Sequence, residues 1–202
     1  MYQNVYGDNR ILVVIGKYEG IGKKYCDFLY GELDAEVPYI LTVCEADDIT
    51  PEKESYYNII AVGTKENNPY IAKLCKNGDI TIPSHPEGYR IKVFKNPANP
   101  EKQVFALAGG GDMGAYYAIS DFVNSYLPKA ESRDLHKLHF TPHFIGKMPE
   151  ADYEEIPQIK ERGIWTWGHV IYDYKRLIDN MARLRMNMIT IWNDFAPINA
   201  QD

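Results

Sequence analysis

The segment Arg162-Gly163-Ile164-Trp165-Thr166-Trp167-Gly168-His169 and the later run Trp192-Asn193-Asp194 carry the densest chemistry of the chain. Each accompanies a short apolar stretch that reads as a strand. Together they set indoles, an imidazole, an amide and a carboxylate at one end of two parallel strands. Sugars are held by such a mixture, with flat aromatic faces on their C–H surfaces and planar polar groups on their hydroxyls. Ligand sites of α/β barrels gather at the C-terminal ends of the strands, where this set falls. Taken singly, Trp165 or Trp167 reads as a core or rim residue; the joint pattern points to a site. The expected substrate-binding residues here are Trp165, His169, Trp192, Asn193 and Asp194.

Other constellations are better explained by structure. Gly109-Gly110-Gly111-Asp112-Met113-Gly114 fits G-x-G-x-x-G, follows a strand and opens a helix. A dinucleotide site also needs a second parallel strand about 20 residues on, carrying an acid for the ribose. Pro128 and an irregular segment follow instead, and Asp112 sits where the phosphate charge belongs, so the glycines are read as permitting a tight turn and close helix packing. From Gly16 to Gly22 the spacing is one residue too long for a P-loop, and Lys24 replaces the Ser or Thr that would hold magnesium. His136, His139 and His143 are interrupted by Pro142 and lack a matching Cys or carboxylate, so they are read as packing a linker. Cys26, Cys44 and Cys75 show no paired metal spacing and are read as reduced and structural. Asp47-Asp48 and Glu154-Glu155 are adjacent pairs that point to opposite faces of any strand, hence solvated charge. No catalytic residue, cofactor or metal site is expected.

The elements that must position the candidate residues fall into two patterns. Ile11 to Ile15 is a β-branched run suited to a strand buried on both faces. Ile21, Tyr25, Phe28 and Leu29 then mark one face of a helix that Gly31 is expected to close. Residues 39–44 and 58–62 read as strands. Asn68 is expected to cap a short helix from Pro69 to Gly78. Tyr89, Ile91 and Val93 alternate with Arg90 and Lys92 in a strand with one wet face, and a turn at Asn96-Pro97-Ala98-Asn99-Pro100 leads back into strand 104–108. A last helix, with Asp112 as its expected cap, carries Tyr116, Ile119, Val123 and Leu127. The expectation is an α/β (α+β) fold, a mixed-sheet β-α-β-β-α-β-β-α sandwich over residues 1–127.

Residues 128–160, punctuated by Pro128, Pro142, Pro149 and Pro157, are expected to be a linker or packing segment. Residues 161–202 form one β-α-β unit: strand 163–168, a helix with Tyr174, Leu177, Ile178, Met181 and Leu184 on one face, and strand 188–192. Parallel strands are normally covered on both sides, and two strands make no independent sheet. This unit therefore reads as the opening of an incomplete barrel, with exposed strands that are candidates for self-association.

The chain of 202 residues is ordinary for a globular protein at 45% hydrophobic and 25% charged, which excludes disorder and fibrous structure. Its net charge of −6 argues against nucleic acid or anionic membrane as partner. No apolar run approaches the roughly 18 residues of a membrane span. Met1-Tyr2-Gln3-Asn4 lacks the pattern of a signal peptide, so the expected location is the cytoplasm, or outside the cell if a leader has been removed.

Several of these residues carry a resemblance. Val62-Gly63-Thr64 with Asn68-Pro69, then Glu87-Gly88-Tyr89, then Ala108-Gly109 through Gly114-Ala115-Tyr116-Tyr117, resemble the N-terminal accessory α/β domain of glycoside hydrolases of the family 20 and α-glucuronidase type. Arg162-Gly163, the helix ending Asn180-Met181-Ala182-Arg183-Leu184-Arg185-Met186-Asn187 and the next strand resemble the first β-α-β of the (β/α)8 barrel of these enzymes. The resemblance implies that Arg162 contacts the sugar, that the parent hydrolyses O-glycosidic bonds of a carbohydrate substrate, and that its catalytic carboxylates lie on a later barrel strand. Ile191-Trp192-Asn193-Asp194 departs from the His-rich acidic motif that usually ends the second strand of the family. The chain itself is expected to be inactive on glycosides; the alternative is a self-contained carbohydrate- or protein-binding module.

Overall fold

The structure is a computed structural model that describes residues 10–36, 41–127, 150–167, 171 and 173–192. His136, His139 and His143 lie outside these residues. The chain divides into two compact units, Met1–Ile156 and Pro157–Asp202, and the architecture is mixed α/β. No helix among the described residues is long and apolar enough to cross a membrane.

The first unit runs β1 (Ile11–Ile15), α1 (Gly20–Glu36), β2 (Leu41–Glu45), a 3-10 turn (Ala46–Asp48), α2 (Pro51–Tyr56), β3 (Asn58–Gly63), α3 (Pro69–Asn77), β4 (Tyr89–Asn96), β5 (Asn99–Gly109), α4 (Asp112–Ser125) and β6 (Asp152–Glu155). Its six-stranded sheet has the order β2-β1-β3-β5-β4-β6. The first four strands of that order are parallel, while β4 runs antiparallel to β5 and β6. All five residues of β1 are buried, as its unbroken apolar run requires. Leu12, Val14, Ile59, Ala61, Val104 and Ala106 meet Tyr70, Ile71 and Leu74 of α3 in one cluster. The other face receives α1 and α4: Phe105 stands edge-on to Phe122 at 4.9 Å, and Phe28 stacks on Tyr116 at 5.8 Å.

Asn68 is fully buried and fastens three elements. Its Oδ1 accepts from the N–H groups of Tyr70 (2.9 Å) and Ile71 (3.3 Å), the cap that the sequence predicts. Its Nδ2 donates to the carbonyls of Val14 (3.2 Å) and Val62 (2.8 Å), at the ends of β1 and β3. Gly63 leaves β3 at φ +138, and a Cβ there would come within 2.6 Å of Asn67 Oδ1. The helix ends at Gly78 in the left-handed region, as expected.

Four details differ from the sequence reading. Helix α1 continues through Gly31 to Glu36, because Leu33 extends the buried line of Tyr25 and Leu29 by another turn. Thr50 caps α2, which the sequence reading passed over, by accepting from Lys53 N–H. Gly111 rather than Asp112 is the cap position of α4; Asp112 lies in its first turn and accepts from Asn67 Nδ2 at 2.7 Å. Within the expected linker, residues 152–155 form the edge strand β6, where Arg90 is ion-paired with Asp152 and Glu154.

The glycine run acts in packing. A Cβ on Gly110 would lie 2.3 Å from the His85 carbonyl oxygen, and one on Gly114 would lie 2.1 Å from that of Gly88. The Gly114 N–H at the start of α4 donates to the Pro86 carbonyl at 3.1 Å. The segment from Pro83 to Gly88 thus lies directly on the turn where a phosphate would sit.

Asn68→Ala removes the cap and two donations to buried carbonyls, so we predict a loss of about 2–4 kcal/mol. Urea unfolding followed by circular dichroism measures it; an unchanged midpoint would contradict the role given to Asn68. Burial also pushes the Cys26 thiol up to about 12 and raises the phenols of Tyr25 and Tyr70. Their contribution to stability is complete below the ordinary thiol value and declines as pH climbs towards 12. At pH 8 iodoacetamide is predicted to modify Cys26 on the order of a thousandfold more slowly than a free thiol. Equal rates in native and urea-unfolded protein, read by mass spectrometry, would show the burial to be wrong.

Candidate functional site

The second unit comprises β7 (Gly163–Trp167), α5 (Tyr174–Arg183) and β8 (Met188–Trp192). The strands are parallel, with Trp165 opposite Thr190 and Trp167 opposite Trp192. Side chains alternate between faces. Ile164, Thr166 and Ile189 are half-buried, whereas Trp165, Trp167, Thr190 and Trp192 form an exposed face. Trp165 keeps 68% of its surface in solvent.

The three indoles meet one another. Trp192 lies 5.9 Å from Trp165 at 67° and 6.2 Å from Trp167 at 76°, so it stands edge-on to both. Such edge-to-face contacts leave broad ring faces uncovered while fixing their orientation. This is an arrangement that can stack against the C–H face of a flat ligand. The sequence-predicted Trp165 and Trp192 are thus brought together. His169, Asn193 and Asp194 lie outside the described residues.

Arg162 is placed elsewhere. It precedes β7, roughly 16 Å along the strand from Trp167. Its guanidinium donates to the carbonyls of Arg185 (2.8 Å, from Nε) and Ile159 (2.6 Å, from Nη1). The side chain of Asn187 completes a clasp, accepting from the Arg162 N–H at 2.9 Å and donating to the Lys160 carbonyl at 2.8 Å. This clasp sets the register of β7 and β8 at their N-terminal ends. Asn187 was not singled out in the sequence, although a lone amide just ahead of an apolar strand is a signal for such a bond.

α5 begins at Asp173, whose side chain accepts from Arg176 N–H at 2.9 Å. Of its apolar stripe Met181 alone is buried; Tyr174 and Leu177 are half-buried, and Ile178 and Leu184 are exposed. Ile191 and Met188 of β8 are exposed as well. Of the two adjacent acid pairs, Asp47 and Asp48 stand exposed in the 3-10 turn, while Glu154 and Glu155 belong to β6 in the first unit.

The fold is similar to part of several solved structures. Three solved structures are similar to the chain: a family GH115 4-O-methyl-α-glucuronidase with specificity for decorated arabinogalactans (TM-score 0.50, 16% identity), a mutant β-hexosaminidase of Streptomyces plicatus in complex with its product GlcNAc (0.52, 16%), and a family GH138 enzyme targeting pectin rhamnogalacturonan II (0.50, 14%). They match 90%, 89% and 90% of this chain, which spans 25%, 29% and 18% of their own lengths. No protein-family model matches the sequence, and no curated protein matches it significantly.

Trp192 is common to both indole pairs. Trp192→Ala is predicted to abolish the exciton couplet of the paired indoles in circular dichroism, while Trp165→Ala leaves the part due to Trp167 and Trp192. A couplet surviving Trp192→Ala would mean that the rings are not in contact as described.

Proposed function

We propose that this chain is part of a carbohydrate-active glycoside hydrolase, comprising an accessory α/β domain and the opening β-α-β of a (β/α)8 barrel. The observation that carries the reading is the uncovered state of the second unit. Its sheet exposes Trp165, Trp167, Ile191 and Trp192, and its helix exposes Ile178 and Leu184 (66% in solvent). Apolar surface of this extent asks for further strands and helices, as neighbouring barrel units supply. In isolation the same strands offer unpaired backbone and apolar side chains to a second copy.

The resemblance of Arg162-Gly163, and of α5 with the residues that follow it to Asn187, to the barrel start of the family 20 and α-glucuronidase type agrees with this reading. In it, the tryptophan face belongs to the inner side of the barrel and stacks on the sugar. The parent hydrolyses O-glycosidic bonds with carboxylates carried on later strands. Arg162 enters as the clasp of the first two strands.

Two measurements on the purified chain test the proposal. Aryl glycosides are predicted to show no turnover, and limited proteolysis is predicted to cut between residues 157 and 192 while leaving the first unit intact. Turnover abolished by mutating one of the chain's own acids would overturn the assignment of catalysis to later barrel strands. A second unit as resistant as the first would favour a self-contained binding module.

A further inference from the structure

Beside its outer strand the first unit opens a cavity of about 610 Å³, within the size range of small-molecule sites. The floor is apolar. Val13 and Ile15 of β1 are buried, but Val43, the register partner of Val13 on β2, is 38% exposed. Over β2 the sheet face is therefore open.

Two tyrosines of different character line the wall. Tyr18 is locked: its hydroxyl donates to the Asp27 carboxylate and accepts from Lys23 Nζ at 2.9 Å, and Lys23 also reaches Asp27 at 3.0 Å. These bonds hold Asp27 below the usual carboxylate range and occupy it. Tyr30, one turn beyond Asp27 on α1, is as exposed as Tyr18.

The remaining polar groups of the rim are unspent. The carboxylates of Glu45 and Asp48 have no hydrogen-bond or ion-pair partner among the described residues. Lys53 donates to the Asp48 carbonyl at 3.0 Å, and its ammonium carries further protons. The cavity thus combines aromatic faces, an apolar floor, two free acceptors and one donor.

We propose that this cavity is a binding site for a neutral saccharide, whose C–H face lies on Tyr30 and the apolar floor and whose hydroxyls donate to Glu45 and Asp48 and accept from Lys53. An anionic ligand would meet two unpaired carboxylates. An organic cation would meet the ammonium of Lys53. An uncharged polyol uses both signs of group at once, because each hydroxyl both donates and accepts. The site is independent of the tryptophan face: all three tryptophans of the chain lie in the second unit, so the two can be read separately.

The test is a titration of the full ¹⁵N-labelled chain, followed by amide and indole NMR signals, with cellobiose, chitobiose, glucuronate and spermidine in turn. A neutral disaccharide is expected to shift amides within residues 17–30 and 43–53 while leaving the tryptophan indole signals in place. Tyr30→Ala and Glu45→Gln, at exposed positions, are each expected to weaken binding by about tenfold with the remainder of the spectrum unchanged. Shifts confined to the indoles would overturn this site and support the tryptophan face instead. No shift at sugar concentrations on the order of 10 mM, shifts caused by glucuronate or spermidine alone, or binding indifferent to both substitutions would each overturn it as well.

Discussion

The first unit depends on the four hydrogen bonds of one buried amide. Asn68 joins the ends of β1 and β3 to the first turn of α3, and it does so between the two strands where the chain's connections diverge: β2 lies to one side of β1, β5 to the other side of β3. Open α/β sheets ordinarily leave a ligand crevice at such a point. Here the chain fills it. A Cβ on Gly16 would lie 2.4 Å from the Asn67 carbonyl oxygen, and Asn67 Nδ2 also reaches the Tyr25 hydroxyl at 2.8 Å. With the usual crevice taken up by its own backbone, the unit has its open concave surface further out, over β2.

The legible parts of the fold were those written in local chemistry. A β-branched run gave β1, Asn68-Pro69 with Gly78 bracketed α3, and Asn96-Pro97 marked the β4–β5 turn. Asn96 Nδ2 donates to the Glu54 carbonyl at 2.6 Å, so that turn is also anchored by a distant element that spacing cannot disclose. β6 was illegible for the same reason. Asp-Tyr-Glu-Glu has no apolar alternation beyond one ring; it becomes a strand because Arg90 and Lys92 of β4 face Glu154 and Asp152 across the pair. Gly31 misled because a glycine within a helix ends it only when the next turn has nothing to bury, and Leu33 is fully buried.

The candidate site was legible in part. Indoles at alternate positions of β7 and at the end of β8 can be placed on one face from periodicity alone, and they meet there. The position of the Arg162 guanidinium could not be foreseen, since it depends on carbonyls at Ile159 and Arg185, one of them more than twenty residues away. Arg185 itself adopts φ +61, a left-handed turn that presents its carbonyl to the clasp. The cavity over β2 was equally hidden, because Tyr18, Tyr30, Glu45 and Lys53 converge only after β1, α1 and β2 have packed.

The two flanks of the six-stranded sheet are finished differently. On one, β6 is short and acidic, with three of its four residues in solvent, and its charges are engaged by β4. On the other, β2 has no strand beyond it among the described residues and leaves Thr42 and Val43 uncovered. Growth by strand addition can then proceed from one flank alone. Two molecules meeting through β2 would use up each other's open margin of this sheet, closing as a symmetric pair of sheets whose outer limits are both guarded by acidic residues.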